Sequence, residues 1–288
     1  MTIQLIDGLA EVVDRYALFL VDQWGVLHDG ESPHDGAVET LQRLRSDGKK
    51  IVILSNSGKR LSVTVPRMAA MGFGDDCYDH CVTSGEEVWQ ALHNRKEPFY
   101  AALGRRCFMF SWDGDNSLLD GLDFMGTSEI EQADFILNMG TTSGTLNLDE
   151  YEPILQRAAA RALPMICANP DFVSVAPDGS LALCPGTTAR RYEALGGNVD
   201  YRGKPHAPVY AKSLGHEPGV GPALAIGDSL YHDIGGANGA GIDSLFIASG
   251  IHGDDLELGS RVLDQDRLQS LCQREGQTPT YAMTRFRW

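Results

Sequence analysis

The sequence is short of positive charge, of paired cysteines and of long apolar runs, and each shortage removes a class of function. Lys and Arg number 24 against 39 Asp and Glu, a formal net charge of −15 over 288 residues. Nucleic-acid binding draws on clustered cations that displace counterions from phosphates. No such cluster occurs, so a nucleic-acid partner is not expected. The acidic balance otherwise serves solubility. Six cysteines, Cys77, Cys81, Cys107, Cys167, Cys184 and Cys272, form no Cys-x-x-Cys pair and have no histidine at zinc-finger spacing. That argues against a disulfide framework and a structural zinc, and fits a reducing compartment. Nowhere do about 18 apolar residues run uninterrupted, and Met1 to Tyr16 lack a basic region followed by an apolar core. A cytoplasmic location without membrane contact is expected.

What is present is enough apolar sequence for a real core. Hydrophobic residues make up 43% and charged residues 22%, ordinary for a globular chain. The length suits one large domain or two modest ones, and two is the expectation. Ala17 to Asp22 and Lys50 to Leu54 are short apolar runs of the kind that form buried parallel strands. Between them Ala37, Val38, Leu41 and Leu44 recur at helical spacing, with Gly48 as a stop, which makes one βαβ unit. Ala223 to Ile226, a Gly- and Ala-rich helix from about Asp233, and Ser244 to Ala248 repeat the pattern. Open α/β sheets collect chemistry at strand carboxyl ends, and Asp22, Ser55 and Asp228 stand at such ends.

The interval 83–186 holds further strand-like runs (Cys107 to Phe110, Phe135 to Asn138, Pro164 to Ala168) and a helical stretch, Tyr151 to Ala162. It reads as a second α/β unit inserted into the first. The expected organisation is an α/β protein: a Rossmann-like parallel-sheet core of 1–82 and 187–288, with 83–186 as an α/β cap. The tail past Gly276 is expected to be the least structured part, with Tyr281, Phe286 and Trp288 available to dock it.

Four pieces fall in one order: Asp22-Gln23-Trp24-Gly25-Val26, Ser55-Asn56, Gly203-Lys204-Pro205, and Gly227-Asp228 with Asp233 beyond. This order resembles the haloacid dehalogenase (HAD) superfamily, in the class IIA-like branch of sugar-phosphate, nitrophenyl-phosphate and pyridoxal-phosphate phosphatases with an inserted cap. Cys167-Ala168-Asn169-Pro170-Asp171 and Cys184-Pro185-Gly186-Thr187 look like that branch too. The resemblance implies Asp22 as nucleophile, forming an aspartyl-phosphate that splits one hard displacement into two easier ones. It implies Mg²⁺ held by Asp22, the Trp24 carbonyl and Asp228, with Asp233 in support, a donor set of the oxygen type that magnesium takes. Ser55 and Lys204 would grip and neutralise the phosphate.

Position 24 departs from the pattern. The branch's phosphatases carry an aspartate there to protonate the leaving alcohol, a role worth roughly 10²–10⁴ in rate, and indole cannot perform it. His28 and Asp29 are alternative proton sources; the plainer reading is that they shape a turn. Substrate contacts are expected from Asn56 and from the loop Gly140, Thr141 and Thr142, rich in hydroxyls and backbone donors. The same plainer reading applies to His206 and His232, and the remaining histidines show no ligand spacing.

The leading reading is a magnesium-dependent hydrolase, a phosphatase of a small phosphorylated metabolite such as a sugar phosphate, with atypical proton delivery. The alternative is a regulatory protein of the same fold that binds phosphate and magnesium with little turnover. Carbon–halogen or carbon–phosphorus cleavage is a third reading. The last of these needs a cap lysine, and Lys96 is the only one in the interval. Homo-oligomerisation is left open.

Overall fold

The computed structural model describes residues 3–141, 147–175, 180–258 and 263–288. Two parallel sheets organise it. The strands in chain order are β1 (Gln4–Leu5), β2 (Leu18–Val21), β3 (Lys50–Ser55), β4 (His80–Thr83), β5 (Arg106–Phe110), β6 (Met125–Thr127), β7 (Phe135–Asn138), β8 (Pro164–Cys167), β9 (Val173–Val175), β10 (Leu181–Leu183), β11 (Asn198–Tyr201), β12 (Ala223–Gly227), β13 (Asp243–Ile247) and β14 (Tyr281–Met283). The helices are α1 (Ala37–Ser46), α2 (Leu61–Ala70), α3 (Ser84–Asn94), α4 (Pro98–Ala102), α5 (Glu152–Ala160), α6 (Pro185–Ala194), α7 (Ala207–Gly215), α8 (Gly235–Ala240) and α9 (Gln265–Glu275).

The larger sheet has the order β1-β14-β13-β12-β2-β3-β4, all parallel. Its interior strand β2 is buried along its whole length, and side-chain alternation sends its residues to two cores. Phe19 and Val21 pack with Leu41 and Leu44 of α1, while Leu18 and Leu20 pack with Val209 and Tyr210 of α7 and Ala237 of α8. Helices on both faces are why these strands are near-continuously apolar. From β2 the chain proceeds to β3 and β4 on one side and later to β12, β13 and β14 on the other. The direction of winding therefore reverses between β2 and β12, which opens a crevice beyond their carboxyl ends.

The smaller sheet has the order β11-β8-β7-β5-β6, also parallel, and β9 and β10 form an antiparallel hairpin beside it. The return to the core expected at 187 does not occur there. α6 follows, and Asn198–Tyr201 then pairs with β8 as the edge of the smaller sheet. This edge strand is half-buried, with an exposed Asn198, so it lacks the apolar run that marks an interior strand.

The tail is likewise more ordered than expected. Tyr281–Met283 enters the larger sheet between β13 and β1 and is fully buried, and Phe286 is in the core. No helix among the described residues is long and apolar enough to cross a membrane.

Candidate active site

Asp22 follows β2 and Asp228 follows β12, so the winding reversal places both carboxylates on one crevice. The Asp22 amide donates to Ile226 O at 2.9 Å, which fixes the start of the loop. Gly25 then turns the chain back with φ +78°, and a Cβ there would stand 2.1 Å from Asp228 Oδ2. Only glycine suits that turn and that approach. Gly250, after β13, approaches from the other side: a Cβ there would lie 1.9 Å from the same oxygen. The Ile251 amide donates to Asp228 Oδ2 at 2.9 Å.

Asp233 lies in the single π-helical turn Leu230–Ile234. Its Oδ2 accepts from the Ser229 amide at 3.0 Å, and its Oδ1 accepts from Lys204 Nζ at 2.7 Å. Lys204 Nζ also meets Asp22 Oδ1 at 2.6 Å. One oxygen from each of Asp22, Asp228 and Asp233 lies within 4.8 Å of the others, and all three residues are buried.

Three carboxylates against one ammonium leave an excess of two negative charges in a buried place. Burial, then the neighbouring acids Asp233 and Asp171, push the Asp22 carboxyl up to about 7, although Lys204 pulls the other way. Burial and the charges of Asp22 and Asp233 hold Asp228 well above the ordinary carboxylate range. Burial opposes the Lys204 charge, but Asp22, Asp233 and Asp171 outweigh it and keep the ammonium protonated far up the pH scale. The donor set is all oxygen and, fully ionised, would carry an unbalanced double negative charge. It fits a hard divalent cation.

A cavity of about 510 Å³ covers these groups. From the larger sheet it is lined by Asp22, Trp24, Ser55, Asn56 and Asp228, and from the smaller by Trp112, Met139, Asn169 and Asp171. The smaller sheet's own winding reverses between β5 and β7. Trp112 and Met139 follow those two strands, so the two units present their crevices to each other. Ser55 is buried and its Oγ accepts from the Ser57 amide at 3.2 Å.

Asn56 lines the cavity, but its amide is committed. Its Oδ1 accepts from the Lys204 amide at 2.7 Å, and its Nδ2 donates to Lys204 O at 3.1 Å and to Asp171 Oδ1 at 2.7 Å.

Of the expected cap contacts, Gly140 and Thr141 are not among the residues that line the cavity. The Gly140 amide donates to Phe110 O at 3.0 Å, and a Cβ there would meet the Trp112 amide nitrogen at 2.4 Å. Thr141 is buried and its hydroxyl donates to Leu183 O at 2.9 Å. Both serve packing inside the smaller unit; Thr142 lies outside the described residues. Met139, one residue earlier, is the one that reaches the cavity.

The Trp24 side chain points toward the hairpin. Its Nε1 donates to Val175 O at 2.7 Å, and its ring lies over Gly30, where a Cβ would come within 2.2 Å. His28 lines the cavity, and burial, aided by Arg67, lowers its pKa to about 4. Its Nδ1 accepts from the Gly30 amide at 3.1 Å. Asp29 Oδ1 accepts from the amides of Glu31 and Ser32 and shapes the turn. His206 stands at the N-terminal boundary of α7 with no side-chain bond to the helix and stacks on Tyr201.

His232 holds both ring nitrogens in hydrogen bonds, Nε2 donating to Pro170 O at 2.9 Å and Nδ1 facing Ser229 Oγ at 3.0 Å. Asp171 and Ile251 are site residues that sequence reading did not single out. Asp171 stood in a quoted motif, whereas Ile251 contributes only its backbone.

The family described as haloacid dehalogenase-like hydrolase matches residues 19–125, and a HAD-hydrolase-like family matches residues 201–267. A haloacid dehalogenase-like hydrolase from Brucella suis is 31% identical, with 98% of this chain and 100% of that one covered, at a TM-score of 0.80. The D-glycerol 3-phosphate phosphatase of Mycobacterium tuberculosis is 24% identical over 252 residues, 85% of this chain and 66% of the relative. A 4-nitrophenylphosphatase of Schizosaccharomyces pombe is 40% identical over 129 residues, 43% of this chain and 40% of the relative. The chain thus spans under two thirds of the length of these two curated relatives. The full-length match to the Brucella protein, together with the carboxylates and lysine at the sheet's winding reversal, shows that the chain belongs to the haloacid dehalogenase-like hydrolases.

Proposed function

We propose that this protein is a magnesium-dependent phosphatase of a small phosphorylated metabolite, acting through an aspartyl-phosphate on Asp22. The observation that carries the reading is the Lys204 ammonium at 2.6 Å from Oδ1 of Asp22, a carboxylate that lines the cavity together with Asp228. A carboxylate at a strand end beside a fixed cation is placed to attack phosphorus, and the cation offsets the charge that opposes attack. The names of the two curated relatives support a phosphate monoester as substrate.

Asp22 and Asp228 would hold Mg²⁺ with the Trp24 carbonyl, and Asp233 would support them. Gly25 runs the peptide that follows Trp24 directly against Asp228, which favours that carbonyl as a donor. When bound, the ion would neutralise the phosphate and the excess carboxylate charge. Ser55, whose Oγ accepts from the Ser57 amide, would donate its hydroxyl proton to a phosphate oxygen, and Lys204 would hold Asp22 ionised and aimed. Trp24 offers no acidic proton, so the leaving group departs unaided or takes its proton from solvent.

The same departure supports the alternative of a phosphate- and magnesium-binding regulator. One experiment tests both: release of inorganic phosphate from a panel of alkyl and aryl phosphates, with and without Mg²⁺, for wild type and Asp22→Asn. Magnesium-dependent release that Asp22→Asn abolishes is the expected result. Binding without release would favour the regulator, and full activity in Asp22→Asn would sink the assignment.

A further inference from the structure

We propose that Asp171 is a positioning residue through which the smaller unit sets the Lys204 ammonium, an inference that rests on the phosphate chemistry proposed above. The link is continuous. Asp171 Oδ1 accepts from Asn56 Nδ2 at 2.7 Å, Asn56 clamps the Lys204 backbone at both its amide (2.7 Å) and its carbonyl (3.1 Å), and Lys204 Nζ bridges Asp22 at 2.6 Å and Asp233 at 2.7 Å.

A side-chain amide has two donors and one acceptor oxygen. Both Asn56 donors are used, one inward on Lys204 and one outward on Asp171. The oxygen takes the Lys204 amide and, at 3.4 Å, the Ser84 hydroxyl. Asn56 is 2% exposed, so an outward donor that lost Asp171 would trade a fixed protein acceptor for mobile cavity water, and the amide would no longer be held in one orientation. The lysine backbone, gripped on both sides, would turn with it.

Gly203 makes the grip tight. Its φ is +112°, and a Cβ there would stand 2.4 Å from Asn56 Oδ1 and 2.1 Å from Ser84 Oγ. The same turn of the smaller unit is tied a second time, by His232 Nε2 donating to Pro170 O at 2.9 Å. Asp171 therefore reports that this turn is seated, and Lys204 is held in place as a result.

The test titrates inorganic phosphate calorimetrically into the magnesium-loaded protein and measures turnover of 4-nitrophenyl phosphate beside it. Asp171→Ala should weaken phosphate binding and lower kcat by about tenfold each, the scale of one lost buried hydrogen bond. Asp171→Asn keeps an acceptor oxygen and should restore both to within about threefold of wild type. Asn56→Ala breaks the link from the other side, so it should match Asp171→Ala, and the double variant should lose no more than either.

An Asp171→Asn protein as impaired as Asp171→Ala would mean that the carboxylate touches the ligand itself, and would overturn the proposal. So would wild-type phosphate affinity in folded Asp171→Ala, additive losses in the double variant, or a wild type that binds no phosphate. If Asp171→Ala does not fold, Asp171→Asn against Asn56→Ala decides: near-wild-type behaviour in the first with loss in the second supports the link, and equal loss overturns it. A wild type that binds phosphate through this link but releases none from any ester would retain the proposal and remove the phosphatase reading.

Discussion

The indole nitrogen of Trp24 donates to the carbonyl of Val175 at 2.7 Å, joining the loop that follows the Asp22 carboxylate to the hairpin across the cavity. The residue two places after Asp22 is thus spent on holding the hairpin, and a carboxyl in its place would be free of that bond. Trp24→Asp should therefore raise the turnover ratio of an alkyl to an aryl phosphate, because only the alkyl leaving group needs a proton. The ceiling is roughly 10²–10⁴, and the gain should fall short of it because the hairpin loses its tie. The ratio is read from steady-state rates with folding and magnesium affinity checked in both proteins; an unchanged ratio refutes the role.

Magnesium should stabilise the protein more at pH 8 than at pH 5.5. The Asp22 pKa is about 7 in the folded protein against an ordinary 3.8. Between those values the unfolded group is ionised while the folded one keeps its proton. The metal-free fold is therefore favoured below the lower value and loses that contribution as pH rises through the upper one. A cation that needs the ionised carboxylates gains affinity over the same interval. Melting temperatures with and without Mg²⁺ at the two pH values check this, and an equal or larger gain at pH 5.5 contradicts it.

Asp228→Asn should weaken magnesium binding more than Asp233→Asn. The amide in place of Asp233 keeps one acceptor oxygen, for the Ser229 N–H or for Lys204, whereas Asp228 accepts from the Ile251 amide and faces the like charges of Asp22 and Asp233, which outweigh Lys204 there. A supporting residue typically costs about 10- to 100-fold when lost, and Asp228→Asn should exceed whatever Asp233→Asn shows. Calorimetric titration giving the reverse order would mean that the two roles are exchanged.

Gly250→Ala should damage the metal site while sparing most of the fold. The backbone there is free of positive φ, so the added methyl acts through its 1.9 Å approach to Asp228 Oδ2 rather than through strain in the chain. Magnesium affinity should fall at least tenfold, on the order of a disturbed supporting residue, with the metal-free melting temperature changed little. Unaltered affinity would show that the loop after β13 yields freely.

Much of the fold was legible because buried parallel strands are written as apolar runs. Ala17 to Asp22, Lys50 to Leu54 and Ala223 to Ile226 became the three adjacent strands that carry Asp22, Ser55 and Asp228. Asn198–Tyr201 was not legible, since an edge strand with one covered side needs only a few apolar residues. Tyr281–Met283 was too short to show a period, and its burial comes from β13 and β1 on its flanks.

At the site, the charged members showed themselves by order along the chain. The glycine approaches at Gly25 and Gly250, and the Ile251 amide, did not, because backbone donors leave no side-chain signature. Gly140 and Thr141 show a related ambiguity: polar groups that bond within a unit, as the Thr141 hydroxyl does to Leu183 O, look in sequence like groups awaiting a ligand.

Gly203 sits against Ser84, so the chain departs from the larger sheet after β4 and comes back to it before α7 at adjoining points. Among the described residues no strand of one sheet pairs with the other. The entire smaller sheet is in this sense a long loop whose ends already touch, and closing such a loop costs little more as it lengthens. Lineages can enlarge, shrink or exchange it without shifting a single register in the seven-stranded sheet. The bond-breaking residues and the surfaces that meet the rest of the substrate can then be inherited separately, provided that each replacement still offers an acceptor where Asp171 reaches Asn56.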